Sequence, residues 1–183
     1  MVGAILTQNT TWSNVELALQ NFAGQLSPQF IDQIEPTALS QIIRPAGYYN
    51  QKAIYLKAVT AWFGHYNYDA DQVKQQSLEH LRSELLAVRG VGPETADSIL
   101  LYAFEMPTFV VDAYTMRLCR RLPIPAGTTY SAVRHYFMDR LPTSVALFND
   151  FHAQIVNNAK DHCRAKPICE DCPLGDCCQR LGL

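Results

Sequence analysis

Five of the six cysteines, Cys163, Cys169, Cys172, Cys177 and Cys178, fall within sixteen residues, while Cys119 stands alone. The spacing Cys163-x5-Cys169-x2-Cys172-x5-Cys178 offers four thiolates in one short segment, a ligand set that suits zinc or an iron–sulfur cluster. Spacing alone does not choose between the metals. No basic stretch precedes Met1-Val2-Gly3-Ala4-Ile5-Leu6 and no small-residue cleavage site follows it, so nothing here reads as a secretory signal. The expected compartment is the reducing cytosol, where clustered thiols bind metal rather than pair as disulfides. Cys119 reads as a small buried apolar residue.

A second group surrounds two glycines. Leu85-Leu86-Ala87-Val88-Arg89-Gly90-Val91-Gly92-Pro93-Glu94-Thr95-Ala96 joins two apolar-striped segments through a turn. Glycine takes positive φ without strain and lets a ligand come close to the backbone. Pro93 suits the first position of a helix whose buried face is Ala96, Ile99, Leu100 and Ala103. Amides at such a turn and helix start make a phosphate site that needs no lysine. The bland alternative is a tight corner between two helices, in which the glycines only relieve strain.

The third is a single carboxylate. Asp112 follows an apolar run at 109–111 and precedes Ala113-Tyr114-Thr115-Met116-Arg117, a helix start. On the residues alone it is a reactive group or a helix N-cap, the latter worth about 1 kcal/mol.

The elements that must position these groups are helical. Val15, Ala18, Leu19 and Phe22 recur at helical intervals after Ser13-Asn14-Val15-Glu16, which has capping-box spacing, so a helix is predicted to start there. Further helices are predicted near 37–43, over 50–63, and from Ser77 with Leu78, Leu81, Leu85 and Val88 on one face. Only 109–111 resembles a strand, and it is too short to anchor a sheet. The chain therefore reads as all-α, with short Pro- and Gly-marked connections and a domain boundary near Met106-Pro107. Met1 to Leu6 reads as a helix caught in its middle, which predicts a further segment ahead of it.

At 183 residues, 48% apolar and 17% charged, the chain can bury one sizeable core or two small ones. No apolar run approaches the roughly 20 residues that span a bilayer, so a soluble protein without membrane contact is expected. A net charge of −2 argues against binding nucleic acid by bulk electrostatics. Any such binding must rest on backbone amides and a few placed cations.

Residues 88–112, with Gly90-Val91-Gly92, Thr95-Ala96 and Val110-Val111-Asp112, resemble the helix-hairpin-helix and Gly-Pro-Asp signature of the endonuclease III superfamily of DNA glycosylases. The cysteine loop, Ile5-Leu6-Thr7-Gln8-Asn9-Thr10 and Gly47-Tyr48-Tyr49-Asn50-Gln51-Lys52-Ala53 are similar to segments of the same superfamily, so the likeness spans nearly the whole chain. It implies a six-helix barrel domain over 1–106, with the hairpin motif at about 77–104, and an iron–sulfur domain over 107–183 that carries the catalytic Asp112 at its start. Double-stranded DNA with a damaged base is the implied partner, bound in the groove between the domains by a monomer; a cytoplasmic location is expected, nucleoid-associated if the source is bacterial or archaeal.

The resemblance also implies roles. The hairpin residues Gly90, Val91, Gly92, Glu94 and Thr95 meet the DNA backbone, and Gln8 fills the gap left by an everted base. Trp12 stacks on that base by cation–π attraction, its alternative being a core aromatic; Tyr48 and Tyr49 line the same pocket. Lys52 is expected to contact phosphate or solvent. The likeness points to a [4Fe–4S] cluster on Cys163, Cys169, Cys172 and Cys178, with the first interval one residue shorter than usual and Cys177 a spare thiol; the loop then presents Arg164 and Lys166 to phosphate. His152 is expected to pack or bond within its own helix and to take no catalytic part.

One departure bears on chemistry. Bifunctional members carry a strand-cleaving lysine two residues after the second hairpin glycine, where this chain has Glu94, and a carboxylate forms no Schiff base. Gly92-Pro93-Glu94-Thr95-Ala96 and Leu6-Thr7-Gln8-Asn9-Thr10 are most similar to the 3-methyladenine DNA glycosylase III branch. The expectation is a monofunctional glycosylase acting on an alkylated purine. The alternatives are a glycosylase with lyase activity on oxidised pyrimidines, and a non-catalytic module that binds DNA lesions.

Overall fold

The computed structural model describes residues 1–182, which form eleven α-helices, one 3-10 turn and no strand. The all-α expectation holds. No helix among them is long and apolar enough to cross a membrane. The chain divides into two compact units, Met1–Phe104 and Glu105–Leu183.

The first unit comprises α1 (Val2–Leu6), α2 (Trp12–Gln20), α3 (Pro28–Gln33), α4 (Pro36–Ile42), a 3-10 turn (Arg44–Ala46), α5 (Tyr49–Gly64), α6 (Ala70–Lys74), α7 (Leu78–Ala87) and α8 (Pro93–Phe104). α5 packs against α1, α3 and α4, and α7 against α8. Their shared core includes Ile5, Leu6, Val15, Leu39, Ile43, Leu56, Leu81, Leu85, Ile99 and Leu100, all fully buried. Each contributes roughly 1.5–3 kcal/mol through loss of its apolar surface from water.

Helix starts follow local chemistry. Ser27 Oγ accepts from the Phe30 amide ahead of Pro28, and Ser77 Oγ from the His80 amide. α2 differs from expectation: it begins at Trp12 with Thr11 as N-cap, two residues ahead of Ser13. The capping box does not form because Ser13 already lies inside α2, and Glu16 accepts from the Trp12 indole N–H at 3.1 Å.

Lys52 departs more sharply. It contacts neither phosphate nor solvent as expected, but lies 2% exposed inside the first unit. Its ammonium donates to Leu6 O at 2.8 Å and Ala46 O at 2.7 Å, the last residues of α1 and of the 3-10 turn. Carbonyls at helix ends lack partners and favour a cation, so one lysine closes two termini at once. Burial pushes its pKa below the usual lysine value.

The second unit holds α9 (Ala113–Arg121), α10 (Tyr130–Arg140), α11 (Val145–Asp161) and the cysteine loop. Phe109 centres its core, stacked on Phe137 at 4.4 Å and edge-on to Phe148 and Phe151 at 5.8 Å each. Val110 and Val111 are buried beside it, so the short apolar run anchors the start of α9.

Candidate active site

The hairpin joins α7 to α8. Val91 donates its amide to Val88 O at 3.1 Å, closing the turn. Gly90 has φ +86°, and a Cβ there would sit 2.1 Å from the Tyr55 ring, so both backbone and packing demand glycine. Gly92 is different: its φ is not positive, because the residue before a proline is pushed to extended backbone. It is exposed, and a Cβ on it would meet nothing within 4 Å, which leaves its backbone open to a close ligand. Both arms are locked together by Arg82 on α7, whose guanidinium makes two bonds, at 2.9 and 3.1 Å, to the fully buried Asp97 on α8.

Gln8 lies against this turn. Its side-chain amide donates to Gly90 O at 2.9 Å and to the Thr95 hydroxyl at 3.0 Å. Thr95 and Val91 are buried; the Thr95 hydroxyl accepts from Gln8, and the Val91 amide closes the turn. Gly92 and Glu94 are exposed, the latter in the first turn of α8, where helical amides point away from the helix body.

Trp12 is 51% exposed, which excludes a core aromatic; its ring lies over Gly3. Tyr48 is 67% exposed at φ +46° and precedes α5. Tyr49 is half-buried beneath the Arg44 guanidinium, 5.9 Å from the ring centroid.

Asp112 occupies the N-cap of α9. Its Oδ1 accepts from the Thr115 amide at 2.7 Å and the Thr115 hydroxyl at 2.9 Å. Its Oδ2 lies 3.4 Å from Nε2 of His152 on α11. Both side chains are largely buried, 13% and 14% exposed. Burial by itself raises the carboxyl pKa, but the nearby His152 imidazole and the bonds from Thr115 outweigh it and hold the pKa below the usual carboxylate value. His152, expected to pack or bond within its own helix, also reaches across to Asp112 at the start of α9. Forty positions separate the two residues and no spacing announces their contact, which is why sequence inspection misses it.

Cys163, Cys169, Cys172 and Cys178 line one small cavity in the second unit. Cys177 is exposed, bonded to Leu174 O, and does not line it. Arg121 borders the same cavity: its buried guanidinium donates to Cys163 Sγ at 3.2 Å and to the carbonyls of Arg164 and Ala165 at 2.7 and 3.1 Å. Arg117 donates to Cys163 O at 2.6 Å. Among the described residues no three metal-binding side chains are drawn together tightly enough to hold an ion as they stand. The donor chemistry nonetheless suits a thiolate-bound centre: four cysteines line one space, and a guanidinium N–H points at the sulfur of Cys163. Arg164 and Lys166 are exposed on this loop.

A model of the HhH-GPD superfamily base excision DNA repair protein matches residues 2–143. A provisionally assigned DNA repair glycosylase of Methanocaldococcus jannaschii is 42% identical over 183 aligned residues, covering 97% of this chain and 83% of the relative. Endonuclease III of Sulfolobus acidocaldarius is 31% identical, covering 98% and 80%. Among solved structures, the 3-methyladenine DNA glycosylase of H. pylori bound to 1,N6-ethenoadenine superposes with a TM-score of 0.77 at 30% identity, covering 87% of this chain and 82% of that one. A non-covalent endonuclease III–DNA complex gives a TM-score of 0.80 at 24% identity, a likeness of fold, covering 98% and 81%.

Proposed function

This chain belongs to the HhH-GPD superfamily of base excision DNA repair proteins and is a DNA glycosylase, and from that footing we propose that it is monofunctional, hydrolysing the N-glycosidic bond of an everted alkylated purine and leaving an abasic site. The observation that carries this reading is Asp112, a carboxylate fixed through Oδ1 at a helix N-terminus and held ionised.

Hydrolysis breaks the bond between C1′ and the base nitrogen, and its electron pair leaves with the base. Positive charge develops on the sugar, which a preorganised carboxylate stabilises. Water then forms the new bond to C1′, and its proton passes to Asp112. A purine alkylated at N3 or N7 already carries positive charge and departs neutral, so for it no strong general acid is required. The relative bound to 1,N6-ethenoadenine supports a modified adenine as the class of target.

Glu94 supports the absence of lyase chemistry, since a carboxylate cannot form a Schiff base with the abasic sugar. The hairpin around Gly92 holds a phosphate through backbone amides, and Gln8 enters the space vacated by the everted base. Trp12, with its exposed indole, stacks on the cationic purine, assisted by Tyr48 and Tyr49. Cys163, Cys169, Cys172 and Cys178 hold a [4Fe–4S] cluster whose contribution is to tie the loop, so that Arg164 and Lys166 face phosphate. The protein acts as a monomer on double-stranded DNA.

Duplexes carrying single defined lesions, scored for free base and for strand breaks with and without alkali, test the proposal. It predicts release of an alkylated purine, with breaks only after alkali. Breaks without alkali, together with a borohydride-trapped adduct, would establish the lyase alternative, for which the likeness to endonuclease III of Sulfolobus acidocaldarius speaks.

A further inference from the structure

We infer that His152 is the positioning residue of Asp112, donating from Nε2 to Oδ2 and so holding the second carboxylate oxygen, in its charged form, toward the reacting sugar and water. This rests on the reading of Asp112 as the catalytic carboxylate.

The geometry divides the two oxygens. Oδ1 receives two bonds from Thr115, at 2.7 and 2.9 Å, which fix the carboxylate plane and cap α9. Those lone pairs are committed to structure. Oδ2 is the oxygen left for chemistry, and the group beside it is His152, 3.4 Å away on α11. A carboxylate capped through one oxygen still titrates through the other, and burial favours its neutral form. An imidazole N–H at Oδ2 opposes this, because it bonds best to the anion.

The other charged groups on the packed elements are directed elsewhere. On α9, Arg117 donates to Cys163 O and lies over the Tyr114 ring, and Arg121 faces Cys163. On α10, Arg134 bonds Thr108, His135 pairs with Asp139, and Arg140 covers Tyr136. On α11, Asp150, Lys160 and Asp161 are exposed. Arg120, also on α9, bonds Met116 O, and the groups that favour the charged form of Asp112 are His152 and Thr115.

The test is single-turnover release of an alkylated purine from a duplex, measured from acid to neutral pH for wild type, His152→Phe, His152→Gln and Asp112→Asn, alongside melting temperature and affinity for an abasic-analogue duplex. Without the N–H at Oδ2, Asp112 takes up its proton at higher pH. His152→Phe should therefore move the acid limb of the rate upward and slow release at neutral pH by about 10–100-fold, with affinity for the analogue kept. His152→Gln, whose amide can donate to the same oxygen, should recover most of both. An unmoved acid limb in His152→Phe, or equal impairment of both variants in step with lost thermal stability, would overturn the inference. If Asp112→Asn is inert while His152→Phe matches wild type, only His152 loses its role; if Asp112→Asn releases base normally, the reading of Asp112 itself fails.

Discussion

Gln8 is joined to Gly90 across 82 positions of sequence by a bond of 2.9 Å from its side-chain amide to the glycine carbonyl. The same amide reaches the Thr95 hydroxyl, so the segment after α1 holds both the turn and the first turn of α8. A residue suited by resemblance to fill a gap in DNA thus also serves the hairpin's own stability. Gln8→Ala removes two part-buried hydrogen bonds and should cost about 1–3 kcal/mol in denaturant unfolding. Unchanged stability in that variant would show that Gln8 acts on DNA alone.

The hairpin glycines make opposite predictions. Gly90→Ala places a Cβ 2.1 Å from the Tyr55 ring at φ +86°, so it should destabilise the protein by about 2 kcal/mol or more, seen as a lower denaturation midpoint. Gly92→Ala meets nothing within 4 Å and should leave stability within about 0.5 kcal/mol of wild type. Its effect belongs on DNA, because a methyl group there obstructs close approach of a phosphate. Weaker duplex binding by Gly92→Ala at unchanged stability supports the phosphate grip; wild-type binding refutes it.

The cysteine loop separates its two last thiols. Cys178 lines the cavity with Cys163, Cys169 and Cys172, whereas Cys177 points outward. The purified protein should be coloured and contain iron, Cys178→Ser should lose that iron, and Cys177→Ser should keep it. A colourless protein carrying zinc would overturn the cluster assignment, and iron loss on Cys177→Ser alone would exchange the two thiols.

What the sequence shows of this fold is what is local. Apolar spacing locates α5 and α7, Ser77 and Pro93 mark the starts of α7 and α8, and the glycines mark the turn between them. α3 escapes notice because a helix of six residues starting at Pro28 looks like a turn, although Ser27 caps it. Lys52 misleads for a physical reason: a lysine is rarely buried unless partnered, and its partners are backbone carbonyls whose arrival depends on the tertiary fold. The candidate site divides likewise. Asp112 and the four cysteines are legible from residue type, spacing and resemblance, while His152 and Arg121, which touch them, become visible only when helices pack.

The central claim is that the Asp112 carboxylate does the hydrolysis, and its cleanest probe is Asp112→Asn. Asparagine caps helices about as well as aspartate, so α9 and the bond from Thr115 survive while the charge is removed. Single-turnover release from a duplex with one alkylated purine should fall by about 100-fold or more, with affinity for an abasic-analogue duplex retained. Release at the wild-type rate by Asp112→Asn would contradict the account.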